Sequence, residues 1–195
     1  FEQGDSFTQL TKNFVEHFKV PMLVGSPSYH GVQQDEKGEW QWDAHFNSAY
    51  LVEPGQPVTQ RVDKFFLTPF GETMPYIAAW PWLQDQLLSF GASGMQFDLD
   101  AADDISLIEL KGQGETEPWR IAVPICFEDT VSPVVRRMVF ANGQRQADLI
   151  VNLSNDGWFG TGALGMSDAG RAMHVLCARW RAAETRTWMV RSVNT

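Results

Sequence analysis

Arg120-Ile121-Ala122-Val123-Pro124-Ile125-Cys126-Phe127-Glu128-Asp129 reads as an apolar strand that runs into a cysteine and two acids, with Pro133 opening a helical pattern shortly after. A cysteine at a strand-to-helix turn can stand exposed at a sheet edge, where helix N-terminal amides favour the thiolate. The same stretch also fits an inert thiol in the core, because free cysteine is among the most buried residue types. Asp129 likewise fits an ordinary N-cap or first-turn position. Working outward, Val134, Val135, Met138 and Val139 keep helical spacing until Asn142-Gly143 ends it. Residues 149–153 form a buried-strand run, 167–185 a long helix and 188–193 a last strand. Upstream, 106–110 pairs beside 120–127 across the polar turn 111–118. Residues 46–52 and 58–64 pair across Pro54-Gly55. The earliest segments are a helix over 7–18, with Phe7, Leu10, Phe14 and Phe18 three to four apart, and a short strand at 22–25. Residues 30–43 read as an exposed hairpin or loop, and 69–94 as an irregular region with aromatics at Tyr76, Trp80, Trp82 and Phe90. Strands alternating with helices predict an α/β domain with covered sheet faces.

The 195 residues suit a single domain, and a composition of 44% hydrophobic and 20% charged residues suits a globular one. A formal net charge of -9 argues against nucleic acid as a partner and against electrostatic docking on anionic lipid. Two cysteines, Cys126 and Cys177, make no disulfide framework. The four histidines are scattered, and the acidic run at Asp98, Asp100, Asp103 and Asp104 lacks the glycine and terminal glutamate of a calcium loop, so neither metal nor cofactor is expected. His174 reads as a satisfied structural histidine and Cys177 as core. The chain starts without methionine and stops after a strand-like run, so we expect a piece of a longer protein.

Two further stretches carry chemistry. In Asp63-Lys64-Phe65-Phe66-Leu67-Thr68-Pro69-Phe70-Gly71-Glu72, a lysine at a strand end is flanked by apolar residues. Partly desolvated there, it would be a fixed cation for a developing oxyanion; a surface lysine on an amphipathic strand is the plainer reading. In Asn152-Leu153-Ser154-Asn155-Asp156-Gly157-Trp158-Phe159-Gly160, turn formation explains Asn, Asp and Gly, while the two aromatics fit a pocket wall.

Together the three stretches resemble the nitrilase (carbon–nitrogen hydrolase) superfamily and, within it, the apolipoprotein N-acyltransferases. The Pro-Phe-Gly-Glu and Asn-Asp-Gly-Trp-Phe-Gly runs and the tail from His174 to Asn194 point to that branch. The resemblance implies a nitrilase-like α-β-β-α sandwich, with residues 1–195 forming one catalytic domain that lacks its first strand and its closing strands. It implies a Glu-Lys-Cys triad in which Cys126 is the nucleophile and Lys64 the lysine, close to each other. The glutamate would lie before Phe1, leaving these residues alone without their general base. Glu72 and Glu128 would orient Lys64 or the substrate amine. Trp158, Trp80 and Trp82 would meet lipid, with core packing as their alternative. Phe66 and Phe127 depart from the histidine and tyrosine usual at their positions. The implied reaction moves an acyl chain from phospholipid, through a cysteine thioester, to the N-terminal diacylglyceryl-cysteine amine of a lipoprotein. The implied setting is the periplasmic side of a bacterial inner membrane, reached through segments outside this chain. Two other functions stay open: a soluble amidase or carbamoylase acting on a small amide, and a non-catalytic binding module.

Overall fold

The computed structural model describes residues 6–58, 60–69, 71–73, 99–112, 114–159 and 166–194. The first half carries helix α1 (Ser6–Phe18) and strands β1 (Met22–His30), β2 (Gln33–Gln34), β3 (Trp40–Gln41), β4 (Ala44–Val52) and β5 (Gln60–Asp63). The second half carries β6 (Ile108–Leu110), β7 (Trp119–Ala122), a 3-10 helix over Cys126–Thr130, α2 (Ser132–Val139), β8 (Phe140–Ala141) and β9 (Gln144–Arg145). It continues with β10 (Leu149–Asn155), a 3-10 helix over Asp156–Phe159, α3 (Met166–Thr185) and β11 (Trp188–Asn194).

The strands form two main sheets. One is antiparallel, in the order β1-β4-β5; the other runs β11-β10-β7-β6, with β7, β10 and β11 parallel and β6 antiparallel to β7. Side chains alternate across a strand, and that alternation sorts the core into layers. Ala49 and Leu51 of β4 and Val62 of β5 meet Ile108, Ile121, Val123 and Ile125 between the sheets. The opposite face of β4 turns Val52 toward Val15 of α1. The opposite faces of β7 and β10 turn Ala122 and Ile150 toward Val134, Val135, Met138 and Val139 of α2. Helix, sheet, sheet and helix therefore stack as the expected α-β-β-α sandwich. Parallel strands need crossovers, and here α2 joins β7 to β10 while α3 joins β10 to β11. Both parallel strands consequently end at the same edge, where Cys126 and Asp156 follow them.

Three local expectations change. Helix α1 forms, but its buried positions are Thr8, Thr11 and Val15, while Phe7, Leu10, Phe14 and Phe18 remain exposed. The buried line is offset by one residue from the aromatic one, about 100° around the helix axis. The strand expected through Phe127 stops at Ala122, and only Ile125 bridges onward to Leu153. Pro124, which has no N–H, interrupts the ladder between them. Asn142-Gly143 does not end α2; both residues have positive φ (52° and 76°) and form the turn of the β8–β9 hairpin. The exposed stretch after β1 holds the short β2–β3 hairpin.

Replacing fully buried Ile150 by alanine should cost ~2–5 kcal/mol of unfolding free energy, by lost transfer and cavity terms. Leu10→Ala on the exposed line of α1 should stay within ~0.5 kcal/mol. Denaturant titration of the two variants measures the contrast.

Candidate active site

Beyond β5 the chain buries a cation. Lys64 is 0% exposed, and its Nζ donates to Glu72 Oε2 at 2.6 Å and to Thr68 Oγ1 at 3.3 Å. A desolvated ammonium is costly unless paired and hydrogen-bonded, and the turn over residues 68–72 supplies both. The Thr68 carbonyl accepts the amides of Gly71 and Glu72, which folds Glu72 back over the lysine. The Thr68 amide and Asn47 Nδ2 then hold the Glu72 oxygens at 2.8 and 3.3 Å. Burial pushes the Glu72 carboxyl up, but the Lys64 charge and the hydrogen bonds from Lys64 and Thr68 outweigh it and hold it below its ordinary value. Two of the three ammonium N–H positions are thus occupied by residues among those described.

Cys126 opens the 3-10 helix after β7 and is part-buried, packed against the inter-sheet core. Its φ is 53°, in the left-handed region that a residue with a Cβ rarely enters. Two residues on, Glu128 is fully buried. One of its oxygens accepts the Phe65 and Phe66 amides at 2.9 and 2.8 Å, and the other accepts the Ile125 amide at 2.7 Å. A single carboxylate thereby joins the segment just after Lys64 to the residue just before Cys126. Of the two acids expected to orient Lys64 or the substrate amine, Glu72 takes the ammonium and Glu128 takes main chain. Burial raises Glu128 to about 7, against the opposing pull of the Ile125, Phe66 and Phe65 amides and the Lys64 charge.

A second buried polar cluster lies against the Cys126 turn. Asn152 Nδ2 donates to the carbonyls of Pro124 (3.0 Å) and Cys126 (3.1 Å). His174 Nε2 lies 2.7 Å from Asp129 Oδ1 and 3.3 Å from the Cys126 carbonyl. His174 Nδ1 lies 3.1 Å from Asp156 Oδ1, and Arg191 reaches both Asp156 oxygens at 3.0 and 3.1 Å. Burial pulls His174 down, but Asp129 and Asp156 more than offset burial and the Arg191 charge, so the imidazole is held above its ordinary value. The sequence alone reads His174 as a satisfied structural histidine and Asp129 as an N-cap or first-turn acid. It did not connect them with each other, with Asn152 or with Arg191. The available signal was polar: Asn152 interrupts the apolar run of β10, and Arg191 interrupts β11.

Of the remaining site expectations, Trp80 and Trp82 lie outside the described residues. Trp158 sits on the 3-10 helix after β10, with its side chain outside them. Cys177, expected in the core, is part-exposed on α3.

The raised Glu128 makes a pH prediction. Between its ordinary 4.5 and about 7, the folded chain binds a proton that the unfolded chain has released. Its contribution to stability therefore falls as pH rises through that window and levels off above it, by about 3 kcal/mol in all. Glu128→Gln, which cannot titrate, should be less stable throughout because the Ile125 amide would face an NH2 group. The difference in melting temperature between parent and variant should narrow from pH 4.5 to pH 8; a difference that widens would contradict the assignment.

No family model matches the chain. Over 195 residues it is 29% identical to the apolipoprotein N-acyltransferase of Geobacter metallireducens, which covers 100% of this chain and 32% of that protein. It is 32% identical to the Chlorobaculum tepidum apolipoprotein N-acyltransferase, over 99% of this chain and 35% of that protein. The chain thus spans about a third of the length of these curated relatives. Among solved structures, the carbon-nitrogen hydrolase of Helicobacter pylori superposes with a TM-score of 0.57 at 12% identity, over 96% of this chain and 51% of that one. An amidase from Nesterenkonia sp., solved with the acetamide moiety of fluoroacetamide added covalently at its active site cysteine, gives 0.56 at 13%, over 98% and 53%. The chain therefore has the fold of the nitrilase superfamily, and over nearly its whole length its sequence is similar to a segment about a third the length of these two apolipoprotein N-acyltransferases.

Proposed function

We propose that this chain forms most of the catalytic domain of an apolipoprotein N-acyltransferase and that Cys126 carries the acyl group. The observation that carries the reading is the buried Lys64–Glu72 pair, tied through Glu128 to the turn that bears Cys126. A cation kept out of water costs several kcal/mol unless its surroundings compensate. Lys64 follows β5 of the antiparallel sheet, and Glu128 links the residues after it to the turn that bears the part-exposed Cys126 thiol. A buried cation tied to that turn suits a charge that appears only during reaction. The names of the curated relatives and the covalently modified cysteine of the amidase support the choice.

In the first half-reaction the Cys126 thiolate attacks the ester carbonyl of a phospholipid acyl chain, and Lys64 donates to the resulting oxyanion. The ester C–O bond then breaks, a thioester remains on Cys126, and the lysophospholipid alkoxide leaves with a proton. In the second, the amine of a lipoprotein's N-terminal diacylglyceryl cysteine attacks the thioester. The amide C–N bond forms, the C–S bond breaks, and the amine's proton is released. The glutamate that the resemblance places upstream of Phe1 takes the thiol proton and passes protons between the two steps. Glu72 keeps Lys64 in place, and Trp158, Trp80 and Trp82 contact lipid. No helix among the described residues is long and apolar enough to cross a membrane. The membrane attachment this function needs belongs to segments outside this chain, with the domain on the periplasmic side of a bacterial inner membrane.

In the full-length protein, Cys126→Ala should abolish thioester labelling by a fluorescent phospholipid, whereas Cys177→Ala should keep it within about threefold. Lys64→Arg should lose labelling by ~10²-fold or more, because the larger, delocalised guanidinium does not fit the ammonium site. Thioester labelling that survives in Cys126→Ala would refute the nucleophile.

A further inference from the structure

We propose that His174 is a positioning residue for the nucleophile, its Nε2–H shared between Asp129 and the main-chain carbonyl of Cys126 so that Cys126 stays in its left-handed conformation. The inference rests on the reading above that Cys126 is the nucleophile. It starts from the backbone. A side-chain-bearing residue at φ 53° costs roughly 1–2 kcal/mol and persists only where its surroundings impose it. Two side-chain donors from the second sheet and its covering helix grip the Cys126 carbonyl: Asn152 on β10 and His174 on α3.

The proton on His174 follows from its neighbours. Nε2 faces Asp129 Oδ1 and the Cys126 carbonyl, and both can only accept. Nε2 therefore carries hydrogen whether the ring is neutral or charged. On the other side, Nδ1 faces Asp156 Oδ1 at 3.1 Å and Arg191 Nη2 at 2.6 Å. At 2.6 Å the guanidinium donates to a bare Nδ1; an imidazolium would instead donate to Asp156 with Arg191 drawn back, and in both states the hydrogen on Nε2 remains. Arg191 also lies 3.6 Å from the second Asp129 oxygen through Nε, which closes the cluster. Asp129 belongs to the same 3-10 helix as Cys126, so the strong 2.7 Å bond and the weaker 3.3 Å one act on one rigid turn. Buried charges often contribute less stability than apolar packing of the same volume. A charged cluster gripping the one strained residue of the turn is better explained by the position it enforces.

The test compares His174→Gln with His174→Asn in the full-length protein. Glutamine reaches far enough to place an N–H toward the Cys126 carbonyl. Asparagine ends near the Nδ1 position and keeps only the anchor to Asp156 and Arg191. The single-turnover rate of Cys126 acylation from phospholipid should fall ~10²-fold in His174→Asn and recover at least about tenfold in His174→Gln, with KM for phospholipid changed by less than about threefold. Equal rates in the two variants, or a His174→Asn rate within about threefold of the parent, would overturn the inference. Alkylation of Cys126 by iodoacetamide, which needs no lipid site, should follow the same order. If the parent itself forms no acyl-enzyme, the acyltransferase reading fails, and the alkylation order alone judges the clamp. In the unmutated protein, nitrogen NMR of the histidines should show His174 Nε2 protonated from pH 5 to pH 9. A bare Nε2 anywhere in that range refutes the proposal, even if neither variant folds.

Discussion

The three main-chain amides collected by Glu128 are the constraint on which the site depends. Phe65 and Phe66 follow the end of one sheet, and Ile125 precedes the turn at the end of the other. Apolar packing between the sheets sets their separation but tolerates sliding, because dispersion and area burial have little direction. Hydrogen bonds at 2.7–2.9 Å to one rigid carboxylate leave little room to slide. The amides favour the charged carboxylate and burial opposes it. Burial prevails and raises Glu128 to about 7, so near neutral pH it is only partly ionised.

Around that strap, charges alternate in sign instead of grouping. Lys64 touches Glu72; Asp129 and Asp156 flank His174; Arg191 closes the far side. Each charge has an opposite neighbour, as low dielectric demands. The result is a rigid polar floor at the edge where β7 and β10 end. Its rigidity is electrostatic, whereas that of the sandwich is steric.

Much of this was legible along the chain, and the parts that were not share a cause. The strands and helices declared themselves because their patterns are local: β10 is an apolar run, α3 a long periodic one. Lys64 stood out because it precedes the apolar run Phe65-Phe66-Leu67, and Cys126 because it follows the apolar run 121–125. Whether Lys64 was buried or on the surface was not decided locally, since its full burial depends on the turn that folds Glu72 back from eight positions away. The φ of Cys126 was hidden for the same reason: its holders, Asn152 and His174, arrive from later elements. The β8–β9 hairpin was misread because Asn-Gly serves a helix end and a tight turn equally well. Pairing of the flanking residues decided between them. Helix α1 was found by its aromatic line, yet the sheet took the neighbouring line, where Val15 fits between Val24 and Val52.

Strand β10 has a meaning beyond packing. Its odd-numbered residues Val151 and Leu153 face the inter-sheet core, while even-numbered Ile150 and Asn152 face the helices. Shifting the strand by one residue against β7 would bring Asn152 into the apolar layer and aim a leucine or valine at the Cys126 carbonyl. The side chain that secures the nucleophile's turn therefore also serves as a parity check on the sheet. A chain that pairs its strands out of step loses core burial and site geometry in the same event, so this strand offers no well-packed yet inert alternative in which the protein could be trapped.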